Sequence, residues 1–175
     1  MVITVVISTN RRNSSTSRIA ALVAEEFLQL GHDAQLLDLA ELPAQFLNVD
    51  MYNQRSESFL ALFDTFIVRA DHIVFVIPEY NGSYPGVLKL FLDASPVRSF
   101  QNKYSSMIGL SDGHAGNLRG QDHLTAVLHY LKVHVHYDKP KLSGITKWLS
   151  PEGVLTNENY AEQLKRHAQI VTASR

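Results

Sequence analysis

The sequence predicts an α/β fold, a three-layer sandwich in which a five-stranded parallel sheet lies between two layers of helices. Continuous β-branched stretches such as residues 2–7, VITVVI, are typical of strands that are buried on both faces. Along the chain the predicted strands alternate with helical patterns, and this βαβ order builds a right-handed, mostly parallel sheet. The 175 residues, 45% of them hydrophobic, are predicted to form one domain over residues 1–175.

The five predicted strands are short and mostly apolar. In chain order they are VITVVI (residues 2–7), DAQLLDLAELP (33–43), DHIVFVI (71–77), KYSSMIGL (103–110) and KVHVHY (132–137). Five strands joined by helices favour the order 2-1-3-4-5, which is the flavodoxin-like arrangement. In such sheets a ligand binds outside the carboxyl ends of the strands, next to the point where the order reverses, and strands 1 and 3 flank that point.

The five predicted helices follow from apolar residues at helical spacing and from their end signals. They span residues 17–31, 57–70, 85–93, 122–131 and 156–173. In the first helix Ile19, Val23 and Phe27 share one face, and Gly31 is the signal for the carboxyl end of the helix. In the second helix the residues that share one face are Phe59, Leu62, Phe63 and Phe66. Pro85 suits a first helical turn, and Thr156 is the predicted cap of the last helix.

The loop after the first strand, STNRRNSST, has the groups that bind a phosphate. It offers several hydroxyls, the guanidinium of Arg11 or Arg12, and the free N–H groups at the start of a helix. Because it lacks both the GxGxxG and the GxxxxGK patterns, a monophosphate fits better than a diphosphate. The alternative is that serine and threonine only cap the helix and that the arginines are solvated.

The loops after strands 3 and 4 suit a flat ring. In PEYNGSYPG, Pro78 holds the preceding residue extended, Gly82 and Gly86 permit turns, and Tyr80 and Tyr84 offer aromatic walls. SDGHAGNLRG has three glycines in ten residues, so bare backbone can approach a ligand. The alternative for PEYNGSYPG is an ordinary strand-to-helix turn, and the alternative for SDGHAGNLRG is a flexible loop without a ligand.

Composition narrows the class of function. Sixteen basic and seventeen acidic residues give a net charge of -1, which creates no field that gathers nucleic acid or an anionic membrane. The absence of cysteine removes disulfides and thiolate chemistry. The amino-terminal stretch is too short for a signal-peptide core, so we expect a cytoplasmic protein. His134 and His136 share a strand face, with His129 and His114 as further candidates, yet a metal site is not expected.

Three motifs resemble those of the NAD(P)H-dependent FMN reductase family, which includes quinone, chromate and azo-dye reductases. PEYNGSYPGVLKLFLD is similar to its PEYN-x-S-x-PG-x-LKN-x-x-D signature, STNRRNSST to GS-x-R-x-x-S, and SDGHAGNLRG to S-x-G-x-x-GG. The resemblance spans roughly residues 1 to 140. The chain departs from the family at Ser8 (glycine), Leu90 (asparagine) and Asn117 (the second glycine).

The resemblance implies a flavodoxin-like fold, bound FMN, and NADPH or NADH as cosubstrate. The expected acceptor is a small molecule, reduced in a ping-pong cycle without a catalytic side chain; a flavodoxin-like electron carrier, or a domain that has lost its flavin, is the alternative. A homodimer or tetramer is implied, and Tyr80, Tyr84, Leu88 and Phe91 are the predicted contact patch. The residues expected to bind the cofactor are Thr9, Arg11, Ser14, Ser15, Thr16, Pro78, Glu79, Tyr80, Asn81, Ser83, Ser111, Gly113, His114 and Gly116.

Overall fold

A computed structural model describes residues 1–43, 51–150 and 152–173 of the chain. The strands are β1 (Val2–Ile7), β2 (Asp33–Asp38), β3 (His72–Pro78), β4 (Tyr104–Ser111), β5 (His134–Val135) and β6 (Lys141–Ser143). The helices are α1 (Ser15–Gln29), α2 (Glu57–Phe63), α3 (Gly86–Ala94), α4 (Leu118–Tyr130), α5 (Ile145–Trp148) and α6 (Glu158–Ala173). No described helix has the length and apolar character needed to span a bilayer.

The sheet is parallel and has the order β2-β1-β3-β4-β5, which confirms the predicted fold class. The fifth position differs from the prediction of one strand over residues 132–137. Two short strands share it, because β5 pairs with the start of β4 and β6 pairs with its end. Pro140 lies between the two strands, and proline has no N–H to donate to a ladder.

Two apolar cores lie on the two faces of the sheet. Ile73, Phe75 and Ile77 of β3 point to one face, where they pack with residues of α2, α3 and α4. Val74 and Val76 point to the other face and pack with residues of α1 and α6. Alternate residues of one strand are therefore buried on opposite sides, which is why the strand reads as a continuous apolar run.

Several element ends differ from the sequence prediction; α4, for example, begins at Leu118 and not at residue 122. Side-chain hydrogen bonds account for two of the other differences. β2 stops at Asp38, whose carboxylate accepts from the N–H of Ala40 at 2.9 Å and starts a short 3₁₀ turn. The cap of α6 is Asn157, whose side-chain oxygen accepts from the N–H of Tyr160 at 3.1 Å, whereas the Thr156 hydroxyl donates to the carbonyl of Trp148. α2 continues past Phe63 as a π-helical turn.

The predicted contact patch is wrong for two of its four residues. Leu88 and Phe91 are fully buried against the α2 side of the sheet, and the Phe91 ring packs against Phe59 and Phe63 at centroid distances of 6.2 and 5.8 Å. The helical period of α3 places these two side chains on one face, and packing against α2 buries that face.

A buried polar network anchors α6 to the sheet at the amino-terminal end of β4. The Nε2 atoms of His72 and His167 each lie 3.0 Å from the hydroxyl of Ser106, and Nδ1 of His167 lies 2.7 Å from the carboxylate of Asp138. His136 packs edge-on to His167, while His114 follows the opposite end of β4. Within the described ranges no group of three or more histidine or acidic side chains is arranged to hold a metal ion.

Replacing Asp138 with asparagine is expected to lower the free energy of unfolding by about 1.5–3 kcal/mol near neutral pH, the range for a hydrogen bond to a charged group. The hydrogen bond from His167 holds the pKa of Asp138 below its ordinary value. A carboxyl group whose pKa is depressed in the folded protein stabilises it fully at pH values above the ordinary, unfolded-state pKa of about 4. This stability is lost as the pH falls through the folded-state pKa. Urea unfolding of both proteins across this range should therefore show their difference shrinking with acid; a constant difference contradicts this role.

Candidate functional site

The carboxyl ends of β1, β3 and β4, with the segment after β6, surround a cavity of about 650 Å³. This volume lies within the range of roughly 300–1,000 Å³ that is common for ligand pockets. The residues that line it are Arg11, Asn13, Ser14, Ser15, Thr16, Pro78, Glu79, Tyr80, Asn81, Leu110, Ser111, Asp112, Ile145 and Thr146. The cavity therefore lies where the parallel sheet places a ligand, beside the reversal between β1 and β3.

One end of the cavity is the start of α1. The hydroxyl of Ser14 accepts from the N–H of Ser17 at 3.2 Å and so caps the helix. The first N–H groups of a helix have no partner within it, and Ser15 and Thr16 carry such groups at the cavity wall. This end of the cavity presents N–H donors and the positive end of a helix dipole to an anion.

The two neighbouring arginines have different surroundings. Arg11 lines the cavity, and in the described part of the chain no carboxylate pairs with it. Arg12 lies 3.4 Å from the carboxylate of Glu41, and both of these side chains are exposed to solvent. The structure therefore favours Arg11 over Arg12 as the cation that faces a bound anion.

Thr9 lies behind the cavity wall. It is fully buried, and its hydroxyl lies 2.8 Å from that of Tyr80 and accepts from the N–H of Arg11 at 3.2 Å. This pair of contacts ties the loop after β1 to the loop after β3. Thr9 holds two walls of the cavity together and does not itself line it.

The loop after β3 forms a tight turn at Asn81 and Gly82. The two backbone bonds between Tyr80 and Ser83 are 2.9 and 3.1 Å long, and φ is 52° at Asn81 and 76° at Gly82. Positive φ at both central residues is the condition that makes Asn-Gly the common sequence of such turns. Among the described residues no acceptor is present for the N–H groups of Asn81 and Gly82, and Asn81 lines the cavity, so its N–H group is available to a ligand there.

Replacing Gly82 with valine is expected to weaken binding of the FMN that the motif resemblance implies, while the fold persists. A Cβ atom there would lie 2.8 Å from Nη1 of Arg119, the end of an exposed side chain that can move aside. The cost therefore comes from the backbone, because a β-branched residue at φ 76° adds strain of roughly 1–3 kcal/mol. The turn would shift away from the cavity. Flavin-fluorescence titration measures the change, with circular dichroism as the control for folding, and an unchanged dissociation constant would mean that the turn does not touch the cofactor.

The loop after β4 is shaped by the hydroxyl of Ser111, which donates to the carbonyl of Gly113 at 3.0 Å and accepts from the N–H of Gly116 at 2.9 Å. Gly116 is buried with φ 53°, and a Cβ there would lie 2.7 Å from backbone and side-chain carbons of Lys141. His114 is exposed at the surface of the loop. The glycine-rich loop is therefore held against β6.

Nine of the fourteen residues predicted to bind the cofactor come together at the cavity, and Thr9, Ser83, Gly113, His114 and Gly116 do not line it. Ser83 instead contacts His123 of α4, with 2.9 Å between its hydroxyl and Nδ1. Five lining residues were not predicted from the sequence: Asn13, Leu110, Asp112, Ile145 and Thr146. The last two follow β6, a strand that the sequence prediction did not include. Leu142 is the one apolar residue of β6, which ends at Ser143 before Gly144, where φ is 59°, so the sequence carries little signal for this strand.

Two departures from the family motifs leave the cavity open. Ser8 is fully buried and donates its hydroxyl to the carbonyl of Val6 at 3.3 Å, so its side chain does not narrow the loop after β1. Leu90 is partly buried and packs against the core on the α2 side of the sheet.

Known proteins agree with this architecture. An NAD(P)H-dependent FMN reductase of Pseudomonas aeruginosa is 30% identical over 170 residues, which cover 94% of this chain and 90% of that enzyme. An FMN-dependent NADPH-azoreductase of Staphylococcus saprophyticus is 31% identical over 112 residues, or 62% of this chain and 60% of that one. The flavoenzyme FerB of Paracoccus denitrificans, an NAD(P)H:acceptor oxidoreductase, superposes with a TM-score of 0.80 at 25% identity, covering 97% and 93% of the two chains.

The sequence profile of NADPH-dependent FMN reductases matches residues 1–140, which include β1, β3 and β4 and the loops that follow them. This match confirms the resemblance drawn from the three motifs. It also agrees with a cavity lined by Arg11 and the start of α1 together with residues of the loops after β3 and β4. The chain belongs to the NADPH-dependent FMN reductase family of oxidoreductases.

Proposed function

We propose that this protein binds FMN in the 650 Å³ cavity and transfers hydride from NADPH or NADH to a small acceptor such as a quinone, free flavin, azo dye or metal oxyanion. The single observation that carries the proposal is the position of Arg11. Arg11 lies beside the open start of α1. Glu79 and Asp112 also line the cavity, but among the described residues no carboxylate pairs with Arg11, so its guanidinium is available to a bound anion.

The residues present fit the cofactor. Arg11, Ser15 and Thr16 would hold the phosphate by charge and hydrogen bonds. The turn at Asn81 and Gly82 would offer its unpaired N–H groups to the polar edge of the ring. A flat cofactor with a terminal monophosphate matches both ends of the cavity.

FMN, when bound, supplies the two-electron chemistry by accepting a hydride and passing it on. The chain's own residues would bind and orient the cofactor and would exclude water from it. Donors fixed in a turn stabilise negative charge without reorganising, and the turn from Tyr80 to Ser83 is fixed by its two backbone bonds. The side chain of Tyr80, held by its contact with Thr9, forms part of the wall.

We propose a ping-pong cycle, in which one open face of the flavin would serve the nicotinamide and the acceptor in turn. Initial rates of NADPH oxidation by the FMN-loaded protein, measured at several fixed quinone concentrations, should give parallel double-reciprocal lines. Intersecting lines contradict the ping-pong cycle. NADPH oxidation that needs a protein partner in place of a small acceptor would instead support an electron carrier.

We also propose that the protein forms a homodimer or a larger assembly, as the family resemblance implies. With Leu88 and Phe91 in the core, the contact would involve other residues near the cavity mouth. Light scattering should give a mass of at least twice 19.6 kDa at micromolar concentration, and a monomer mass would contradict the proposal.

A further inference from the structure

Asn117 stands where the family motif has its second glycine. It is the residue just before α4, and its φ of 60° and ψ of 35° lie in the left-handed region. Glycine adopts this conformation freely, and asparagine is among the few other residues that visit it routinely. The substitution therefore keeps the backbone of the loop and adds a side-chain amide that the family's glycine lacks.

The added amide reaches across to β3. Asn117 is 1% exposed, and its Nδ2 donates to the carbonyl of Ile77 at 3.1 Å. Ile77 is followed directly by Pro78 and Glu79, which line the cavity. This bond joins the loop after β4 to β3 at the point where β3 enters the cavity wall.

Gly120 makes room for this side chain. A Cβ at position 120 would lie 2.1 Å from Oδ1 and 2.7 Å from Cγ of Asn117, so any side chain there would push the amide away. Glycine inside a helix such as α4 is otherwise unfavourable relative to alanine. Its presence is explained by the inward side chain of Asn117, and the two positions form one unit.

We propose that Asn117 and Gly120 are a positioning pair for the flavin site. The amide of Asn117 fixes the position of the end of β3 relative to the loop after β4. Because the turn at Asn81 and Gly82 follows β3, its position is fixed as well. The pair acts through backbone and contacts no reacting atom, and the inference rests on the proposed function because FMN is the ligand it serves.

The test is a cycle of three variants, Asn117→Gly, Gly120→Ala and the double variant, each titrated with FMN by flavin fluorescence. Asn117→Gly keeps the left-handed backbone and removes the buried side-chain amide together with its bond to Ile77, so the dissociation constant should rise about three- to tenfold. Gly120→Ala should have a similar effect by displacing the amide. The double variant should bind no more weakly than Asn117→Gly, because the amide is already absent. Equal effects of Gly120→Ala in both backgrounds would overturn the pairing.

Two further measurements separate positioning from a general effect on folding. The reduction potential of bound FMN in Asn117→Gly should shift from the wild-type value, because the turn at the ring moves; an unchanged potential would overturn the positioning role. Asn117→Asp, which cannot donate to the Ile77 carbonyl when ionised, should bind FMN at least as weakly as Asn117→Gly. Urea midpoints of the apoproteins serve as the control for stability.

The outcomes distinguish this inference from the function on which it rests. If the wild type binds FMN and oxidises NADPH while Asn117→Gly has the same affinity and potential, only the positioning role fails. If the wild type binds no FMN, the proposed function itself fails.

Discussion

Replacing Arg11 with alanine is expected to weaken FMN binding about ten- to a hundredfold. A hydrogen bond to a charged group contributes roughly 1.5–3 kcal/mol, which corresponds to that range of affinity. Arg11 lines the cavity beside the start of α1, and no described carboxylate competes for its guanidinium. Flavin-fluorescence titration of wild type and variant measures the effect.

Two controls make this result specific to the phosphate. Riboflavin has the same ring without the phosphate, so its affinity should change little in Arg11→Ala. Arg12→Ala removes a neighbouring cation that pairs with Glu41 outside the cavity, and it should leave FMN affinity near that of wild type. Equal losses of FMN and riboflavin would show that Arg11 supports the loop or the ring and does not meet the phosphate.

Replacing Gly109 with alanine is expected to destabilise the fold by about 3 kcal/mol, at the upper end of the range for overpacking a core. Gly109 lies in β4, and a Cβ there would lie 2.2 Å from the carbonyl oxygen of Gly116 and 3.0 Å from the side-chain amide of Gln121. Since the first of these atoms is backbone, the loop after β4 must move or the strand must distort. Urea unfolding gives the change in free energy.

The matched control is Gly86→Ala in the first turn of α3, where an added Cβ would have no neighbour within 4 Å. Alanine favours a helix over glycine by up to about 1 kcal/mol, so this variant should be as stable as wild type or slightly more stable. A Gly109→Ala protein as stable as Gly86→Ala would mean that the loop after β4 does not pack on the strand as described.

The fold class and the location of the site could be predicted because they depend on local patterns. The apolar run of β3 and the Asn-Gly turn are set by residues close together in sequence, and both appear in the structure. The reversal of strand order between β1 and β3 then places their loops at one cavity.

The missed features depend on contacts that are distant in sequence. β6 is three residues long and is defined by pairing with β4, so its own apolar pattern is too short to identify it. Leu88 and Phe91 lie in a helix whose buried face is decided by α2, which precedes it by more than twenty residues in the chain.

The central claim is that FMN bound at this cavity takes hydride from a nicotinamide and passes it to a small acceptor. The most direct test is anaerobic rapid mixing of the FMN-loaded protein with NADPH, followed by addition of a quinone, with the visible absorption of the flavin as the signal. The account predicts that NADPH alone bleaches the bound flavin and that the quinone restores its colour with no other protein present. A bound flavin that keeps its colour with both NADPH and NADH would contradict the account.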